Sequence, residues 1–445
     1  MGAKVPPIKR AVRKATATMP QERPVKRAVR KVATMPQEPP ALSDSLWHNR
    51  AFLTLWGGQS LSVFGTQVTQ FALPWLVLDI NRSAISVGLL SAISFLPYLI
   101  FALPAGVIAD RWNRRAIMLV CDAARGLLVF SIPVAYYMGH LGLIQLFAVA
   151  ALMRLFTIFF DVGYTACLPN LVEKRQLSDA NGKLESTRRA AELSGQPIAG
   201  TLVAIFSAAG TMVIDTVSYV ISVISLATIK RPFNAPTVRR DEGTFWQRML
   251  EGVRFVWSHP LIRALSVATA VGNLATSAVL AVLVYRARIE LHFGAAETAF
   301  FLASTAVGQF LASLMVGKIS RRLPLGRHIM LATVIQPLFP LAFALTGNIV
   351  LMIGAGILWG GAVTLLNIPS VSLRQATIPD HLLGRASAAI RMIAWCNIPL
   401  GGLIGGLLAS GYGARATFFF AAAILAITVA YIARSPIPHA DTPRA

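Results

Sequence analysis

Between residues 52 and 433 the chain alternates long apolar runs with short polar breaks, and twelve such runs can be marked off: 52–78, 84–109, 116–138, 143–168, 186–209, 211–229, 261–286, 296–317, 327–346, 348–373, 387–410 and 414–433. Crossing a bilayer takes about 20 mostly apolar residues, and with no water in the hydrocarbon every backbone N–H and C=O must be satisfied inside a helix. The pattern therefore predicts an all-α integral membrane protein with 12 transmembrane helices. The fourth, fifth and eleventh runs are the least uniform, because they carry Arg154, Asp161, Glu192 and Arg391.

Composition agrees, with 55% hydrophobic and only 13% charged residues and a mean hydropathy of +0.61, against about 25% charged in soluble domains. The formal net charge of +22 and the duplicated basic stretch KRAVRKATATMPQERPVKRAVRKVATMPQEPP, residues 9–40, look at first like a nucleic-acid arm. Sorting the charges by loop gives another answer. With the N-terminus in the cytosol, about 35 of the 41 lysines and arginines fall on the cytosolic side, the bias expected of positive-inside topology. Arg82, Arg286, Arg288 and Arg415 fall on the outer side, and Arg125 and Arg154 within helices. The basic segment is expected to be a disordered cytosolic tail attracted to anionic headgroups, with translation from Met19 or Met35 as an alternative that would leave the repeat upstream. No nucleic acid is expected as a partner, since the stretch lacks aromatic interleaving and any recognisable module. A cleavable signal is not expected either, because no apolar run lies in the tail.

Cys121, Cys167 and Cys396 all fall in or at the ends of apolar runs, so no disulfide framework is implied. The histidines show neither HxxxH nor HExxH spacing, no GxxxxGK[ST] phosphate loop is present, and GAGILWG (354–360) lies in an apolar run where glycines serve close packing. The expectation is a protein that is not an enzyme, with no metal and no cofactor, and without ATP as its direct energy source.

A shift of 202 residues puts Gly182 on Gly384, Arg189 on Arg391, Pro197 on Pro399 and Gly200 on Gly402. Internal repeats of this kind are common in secondary transporters. The break they require is visible in the polar stretch 230–258. The organisation read from this is a basic tail (1–50), a six-helix bundle (51–230), a cytosolic linker with a short amphipathic helix (231–260), a second six-helix bundle (261–434) and a cytosolic tail (435–445).

The most informative motif is GVIADRWNRR, Gly106 to Arg115, in the tight turn between the second and third runs. A glycine lets helices approach, the Asp110 carboxylate can accept from a helix N-terminus, and Arg111, Arg114 and Arg115 can lock against it or against lipid phosphate. Asp122 and Arg125 supply a further pair at i and i+3.

Over residues 50–434 the chain resembles a major facilitator superfamily transporter, GVIADRWNRR being similar to that superfamily's signature loop. FFDVGYTACLPNLV (159–172), EGVRFVWSHPLIRAL (251–265) and LLGRASAAIRMIAWCNIPLGGLIGG (382–406) resemble the branch holding enterobactin exporters and macrolide efflux proteins. The resemblance implies two pseudo-symmetric six-helix bundles rocking about a central site. It also implies a cytosolic gate built from Gly106, Asp110, Arg111, Arg114, Arg115, Asp122 and Arg125, proton antiport as the usual drive, and a single chain as the working unit. The second-half counterpart GKISRRLPLGR has Arg321 where Asp110 would fall, so the gate carboxylate belongs to the first half. The family's glycine- and proline-rich helix-five motif is only partly kept in GQPIAGT, through Pro197 and Gly200, and better in IPLGGLIGG, through Pro399 and Gly402. A proline removes a backbone donor and a glycine admits close packing, as a bending helix needs. In helix four, Arg154 fits the drug exporters' arginine, while Thr157 and Ile158 depart from the pattern.

Charges inside a bilayer are costly and mark function or pairing. Arg154 and Asp161, seven residues apart, share a helix face. Glu192 or Asp161 is the expected proton carrier, the alternative being a structural ion pair with Arg154. Asp215 is expected to be a helix-end or interfacial group, and Phe418 to Phe420 to face lipid. Gln59, Ser62, Gln67, Gln70, Asn273, Gln309 and Asn367 are candidates either for a cavity lining or for interhelical hydrogen bonds. The expected function is proton-coupled efflux of an amphipathic small molecule, a drug, siderophore or secondary metabolite, across a bacterial inner membrane, with both termini cytosolic. A proton-coupled importer, a lipid flippase and a non-transporting sensor on the same scaffold are the alternatives.

Overall fold

The structure, a computed structural model, describes residues 46–173, 176–229, 233 and 245–440, and within these every side chain except those of 102–111, 245–249, 320–322, 380, 381 and 384. The first 48 residues form a unit of their own, whose described part is the 3-10 turn Leu46–His48.

From Asn49 onward the described residues form no strand. Fifteen α-helices follow in order: α1 (Arg50–Ile80), α2 (Ala84–Arg111), α3 (Arg114–Tyr137), α4 (Leu143–Leu171), α5 (Leu177–Phe206), α6 (Ala208–Thr228), α7 (Phe245–Ser258), α8 (Pro260–Tyr285), α9 (Ala295–Arg322), α10 (Leu325–Ile335), α11 (Leu338–Leu345), α12 (Ile349–Thr377), α13 (Asp380–Trp395), α14 (Asn397–Tyr412) and α15 (Ala414–Ala433). Starts follow local chemistry: the Asn113 side chain accepts from the backbone N–H of Arg115 and Ala116, and Asn348 from those of Val350 and Leu351, satisfying donors with no intrahelical partner. Two predicted spans are interrupted. The ninth divides into α10 and α11 at Gln336 and Pro337, and the eleventh into α13 and α14 at Cys396. Pro340 and Pro399 lack the N–H that would bond the carbonyls of Gln336 and Trp395, so the ladder opens there.

Among the described residues, eleven spans are long and apolar enough to cross a membrane. The twelfth expected span is α5, which has 30 residues but carries Asp179, Lys183, Glu185, Arg188, Arg189 and Glu192 within its first sixteen. It also begins nine residues before the span read from the sequence, because the stretch from Leu177 is helical yet too polar for hydrocarbon.

α1 to α6 pack on one another, as do α8 to α15, giving two six-helix groups when α10 with α11 and α13 with α14 are each taken as one crossing. α7 lies against α13, with Val256 buried beside Ala386 and Ile390. The halves meet along two seams, α5 with α9 and α2 with α14. Each seam is built on a glycine of the 202-residue repeat. A Cβ on Gly200 would run into Ala299 and come within 2.6 Å of the Ala295 carbonyl, and one on Gly402 would lie 2.8 Å from Ser91 Oγ. Across the second seam Gly88 and Gly406 approach so closely that a Cβ on Gly88 would sit 2.9 Å from the Gly406 Cα. Pro197 lies inside the continuous α5, three residues before Gly200. The aromatic triplet of the last span is corrected: Phe418 is fully buried against Phe343, while Phe419 is exposed.

Candidate functional site

Between the halves lies a cavity of about 460 Å³, lined by α1, α2, α4, α8 and the start of α14, within the about 300–1,000 Å³ range of small-molecule sites. Leu73, Leu90, Met153 and Val284 give it apolar walls, and Gln70, Ser94, Asn273 and Ser277 are among its polar groups. A smaller cavity of about 270 Å³ separates Glu192 and Arg189 on α5 from Gln309 and Asn367 on α9 and α12. Of the seven polar candidates, four therefore line cavities. The other three are buried in α1, where Gln59 donates to Ser222 Oγ at 2.7 Å.

The intramembrane charges take different surroundings. Arg154 is in the wall of the larger cavity, its Nε donating to the Ser94 carbonyl at 3.2 Å and its guanidinium 4.8 Å from the Phe95 ring centroid. The ion pair with Asp161, the alternative to a proton-carrying role, does not form among the described residues. Asp161 is exposed and makes no ion pair among the described residues, but it is close enough to feel Arg125, Arg154 and Arg188. Glu192 accepts from Arg188 at 2.9 Å and from Arg189 at 3.0 Å, and Glu185 shares both arginines. The Arg188 hydrogen bond holds the Glu185 carboxyl below its ordinary pKa.

Asp215 is not a helix-end group. It sits eight residues into α6 with no exposure, accepting from the hydroxyls of Thr69 and Ser218. A Cβ on Gly65 would lie 2.5 Å from its Oδ1, so α1 covers it tightly. Sequence position near the end of a span concealed this, because an interior carboxyl satisfied by hydroxyls has no signature in spacing. Asp122 and Arg125 pair as their spacing suggests, deep in α3 rather than at its mouth, with Asp122 at 0% and Arg125 at 5% exposure. Ser222 donates to Asp122, and the Arg125 guanidinium lies between Phe160 (4.4 Å) and Tyr219 (4.9 Å).

At the signature end, where α2 turns into α3, Arg114 Nη1 donates to the Ala166 carbonyl at 2.9 Å and Arg115 Nε to the Leu226 carbonyl at 3.1 Å, with a second bond to Ala227. Arg115 thus caps the last turn of α6, where orphan carbonyls and the negative dipole end favour a cation, while Arg114 ties the start of α3 to α4. The side chains of Gly106, Asp110 and Arg111 lie outside the described residues.

At the opposite, far end, Arg288 reaches from the second half into the first. Its Nη1 donates to the Trp75 carbonyl at 2.6 Å, it pairs with Asp79, and it lies 4.2 Å from the Trp75 ring. Between described residues, no hydrogen bond, ion pair or ring contact joins the halves on the signature side of Tyr98 and Trp395, whose rings are 4.5 Å apart. Asp79→Asn should weaken the far-end closure modestly, by about 0.5–1 kcal/mol for a partly exposed pair. Thiol labelling of a far-end cysteine should then rise about two- to five-fold, and an unchanged rate would show that the pair does not hold the seam.

Residues 45–444 match the family model described as transmembrane secretion effector. The chain is 27% identical over 368 residues, 80% of its length, to the multidrug efflux pump Tap of Mycolicibacterium fortuitum, covering 88% of that protein. It is 29% identical over 205 residues, 45% of its length, to macrolide efflux protein A of Streptococcus pyogenes, covering 50% of it. A bacterial homologue of the iron transporter ferroportin, solved in an inward-facing state, superposes with a TM-score of 0.72 at 18% identity over 88% of this chain and 99% of that one. The match over nearly the whole chain, on two six-helix groups enclosing a shared cavity, means that the protein belongs to the transmembrane secretion effector family of the major facilitator superfamily.

Proposed function

We propose that this transporter is an exporter of amphipathic small molecules, driven by proton antiport across a bacterial inner membrane, with both termini in the cytosol and one chain as the working unit. The observation that carries the reading is the cavity itself, sealed at the far end by glycine seams and the Arg288–Asp79 pair, with no such link joining the halves between described residues on the signature side. With positive-inside topology the signature end is cytosolic, and the cavity is in the state that loads cargo from the cytosol. The names of the efflux relatives support the direction.

Coupling needs an intramembrane carboxyl that takes up and releases a proton. Glu192 is held by two arginines and Asp161 is exposed and within electrostatic reach of three, which makes them weaker choices than the sequence suggested. Asp215 has hydroxyl partners only, and through Thr69 it borders the larger cavity. Asp122, Arg125 and Tyr219 are within electrostatic reach of it. The test uses inverted vesicles with an imposed inside-acid gradient, a pH-sensitive dye, and a panel of lipophilic cations, macrolides and siderophores. A substrate should collapse the gradient in the parent and fail to do so in Asp215→Asn, while Glu192→Gln retains at least half the flux. Full flux in Asp215→Asn returns the role to Asp161 or Glu192. Substrate movement that ignores the gradient altogether would replace antiport by lipid flipping or facilitated exit.

A further inference from the structure

The larger cavity has a charge without a counter-charge. Arg154 is the only ionisable residue in its lining, and no carboxylate lies within ion-pair distance of it among the described residues. Asp161, the nearest acidic residue on the same helix, is seven positions away, about 10.5 Å along the axis at about 1.5 Å per residue. The guanidinium spends Nε on the Ser94 carbonyl and one face on Phe95. Its two terminal nitrogens have no partner among the described residues, and they are not among the buried atoms sealed without one, so their edge remains accessible. A cation at membrane depth is costly unless paired. A planar fork with both terminal donors available is matched best by a planar oxyanion that can accept two parallel hydrogen bonds.

We infer that Arg154 is the docking point for the head group of the cargo, and that the cargo is a carboxylate-bearing amphiphile rather than a lipophilic cation. The remaining lining fits such a molecule. Leu73, Leu90 and Val284 would take its apolar body, and Asn273 and Ser277 its neutral polar groups, while no acidic side chain among the described residues lines it to attract a cation.

The inference rests on the export reading only in taking this cavity as the cargo site, and it is tested by equilibrium binding, which needs neither a gradient nor a direction. The purified full chain in nanodiscs is dialysed against radiolabelled 9-anthracenecarboxylate, the neutral 9-anthracenecarboxamide and the cationic 9-anthracenemethylamine. The carboxylate should bind at least ten-fold more tightly than the amide, with the amine weakest. Arg154→Gln should remove the preference and leave amide binding within two-fold, and Arg154→Lys should restore part of it, since a point charge lacks the fork. Equal binding of carboxylate and amide, preference for the amine, binding of none of the three, or an undiminished preference in Arg154→Gln would each overturn it. The comparison of the three probes on the unmodified protein decides the matter even if the variants fail to fold. Arg154-dependent carboxylate binding in a protein that moves no protons would leave this inference standing and remove the antiport reading. Proton-coupled export of cations, with no carboxylate preference, would do the reverse.

Discussion

Gly200→Leu is expected to force the far end of the transporter open. The glycine lies where α5 crosses α9, and even a single added carbon would collide with Ala299 and stand 2.6 Å from the Ala295 carbonyl. A backbone carbonyl cannot swing aside as a flexible side chain can, so relief requires the two helices, and with them the two halves, to part. Overpacking of a fitted interface costs about 1–3 kcal/mol. Charged to the far-end-closed state alone, this shifts the balance between states by about five- to hundred-and-fifty-fold. Gly402→Leu should act in the same direction on the other seam, since its side chain would meet Ser91 Oγ at 2.8 Å and the Gly88 carbonyl at 3.3 Å. The measurement is labelling of Leu73→Cys, a lining position, by an impermeant maleimide applied from the far side, in a protein with its three native cysteines replaced. Rates should rise by about five- to hundred-and-fifty-fold in either glycine variant. Unchanged labelling, with the variant correctly inserted, would mean that the seams are not what closes this end.

These seams also show what the sequence could reveal. Gly200 and Gly402 stand out through the 202-residue repeat because glycine and proline have few neutral substitutes in a helix. Apolar run length likewise revealed eleven of the crossings, since hydrocarbon thickness leaves little choice. The polar half of α5 was legible only as an irregular span, because helix length alone does not show where a helix leaves the membrane. Asp122 and Arg125 were readable as a pair from i, i+3 spacing. The isolation of Arg154 was not, since a shared helix face says that two groups can point the same way and nothing about whether they meet. Asp215 was misread for a related reason: its partners Thr69 and Ser218 come one from α1 and one from its own helix, and hydroxyl partners are too common in sequence to announce a site. Phe418, three residues from the exposed Arg415, was lost to the same ambiguity of facing in an all-apolar helix.

Asp122→Asn should be the most destabilising single change in the first half. Asp122 has no exposure and Arg125 only 5%, so the pair is removed from both water and headgroups. Ser222 donates to the carboxylate, and Gln59 supports Ser222 at 2.7 Å, joining α1, α3 and α6 through one group. Phe160 and Tyr219 flank the guanidinium, and these ring faces offer a cation some compensation but no proton acceptor. Neutralising the carboxylate leaves Arg125 charged in the interior, a loss of about 3–5 kcal/mol. The cost belongs to the abandoned cation rather than to the bond itself, and that distinction can be measured. Asp122→Leu combined with Arg125→Met removes both charges and should recover most of the loss, making the two changes strongly non-additive. Unfolding midpoints in a mixed detergent titration, read for both single variants and the double, give the coupling directly. If the double variant is as unstable as the Asp122 single variant, the pair stabilises the fold by its own attraction rather than by sparing a stranded cation.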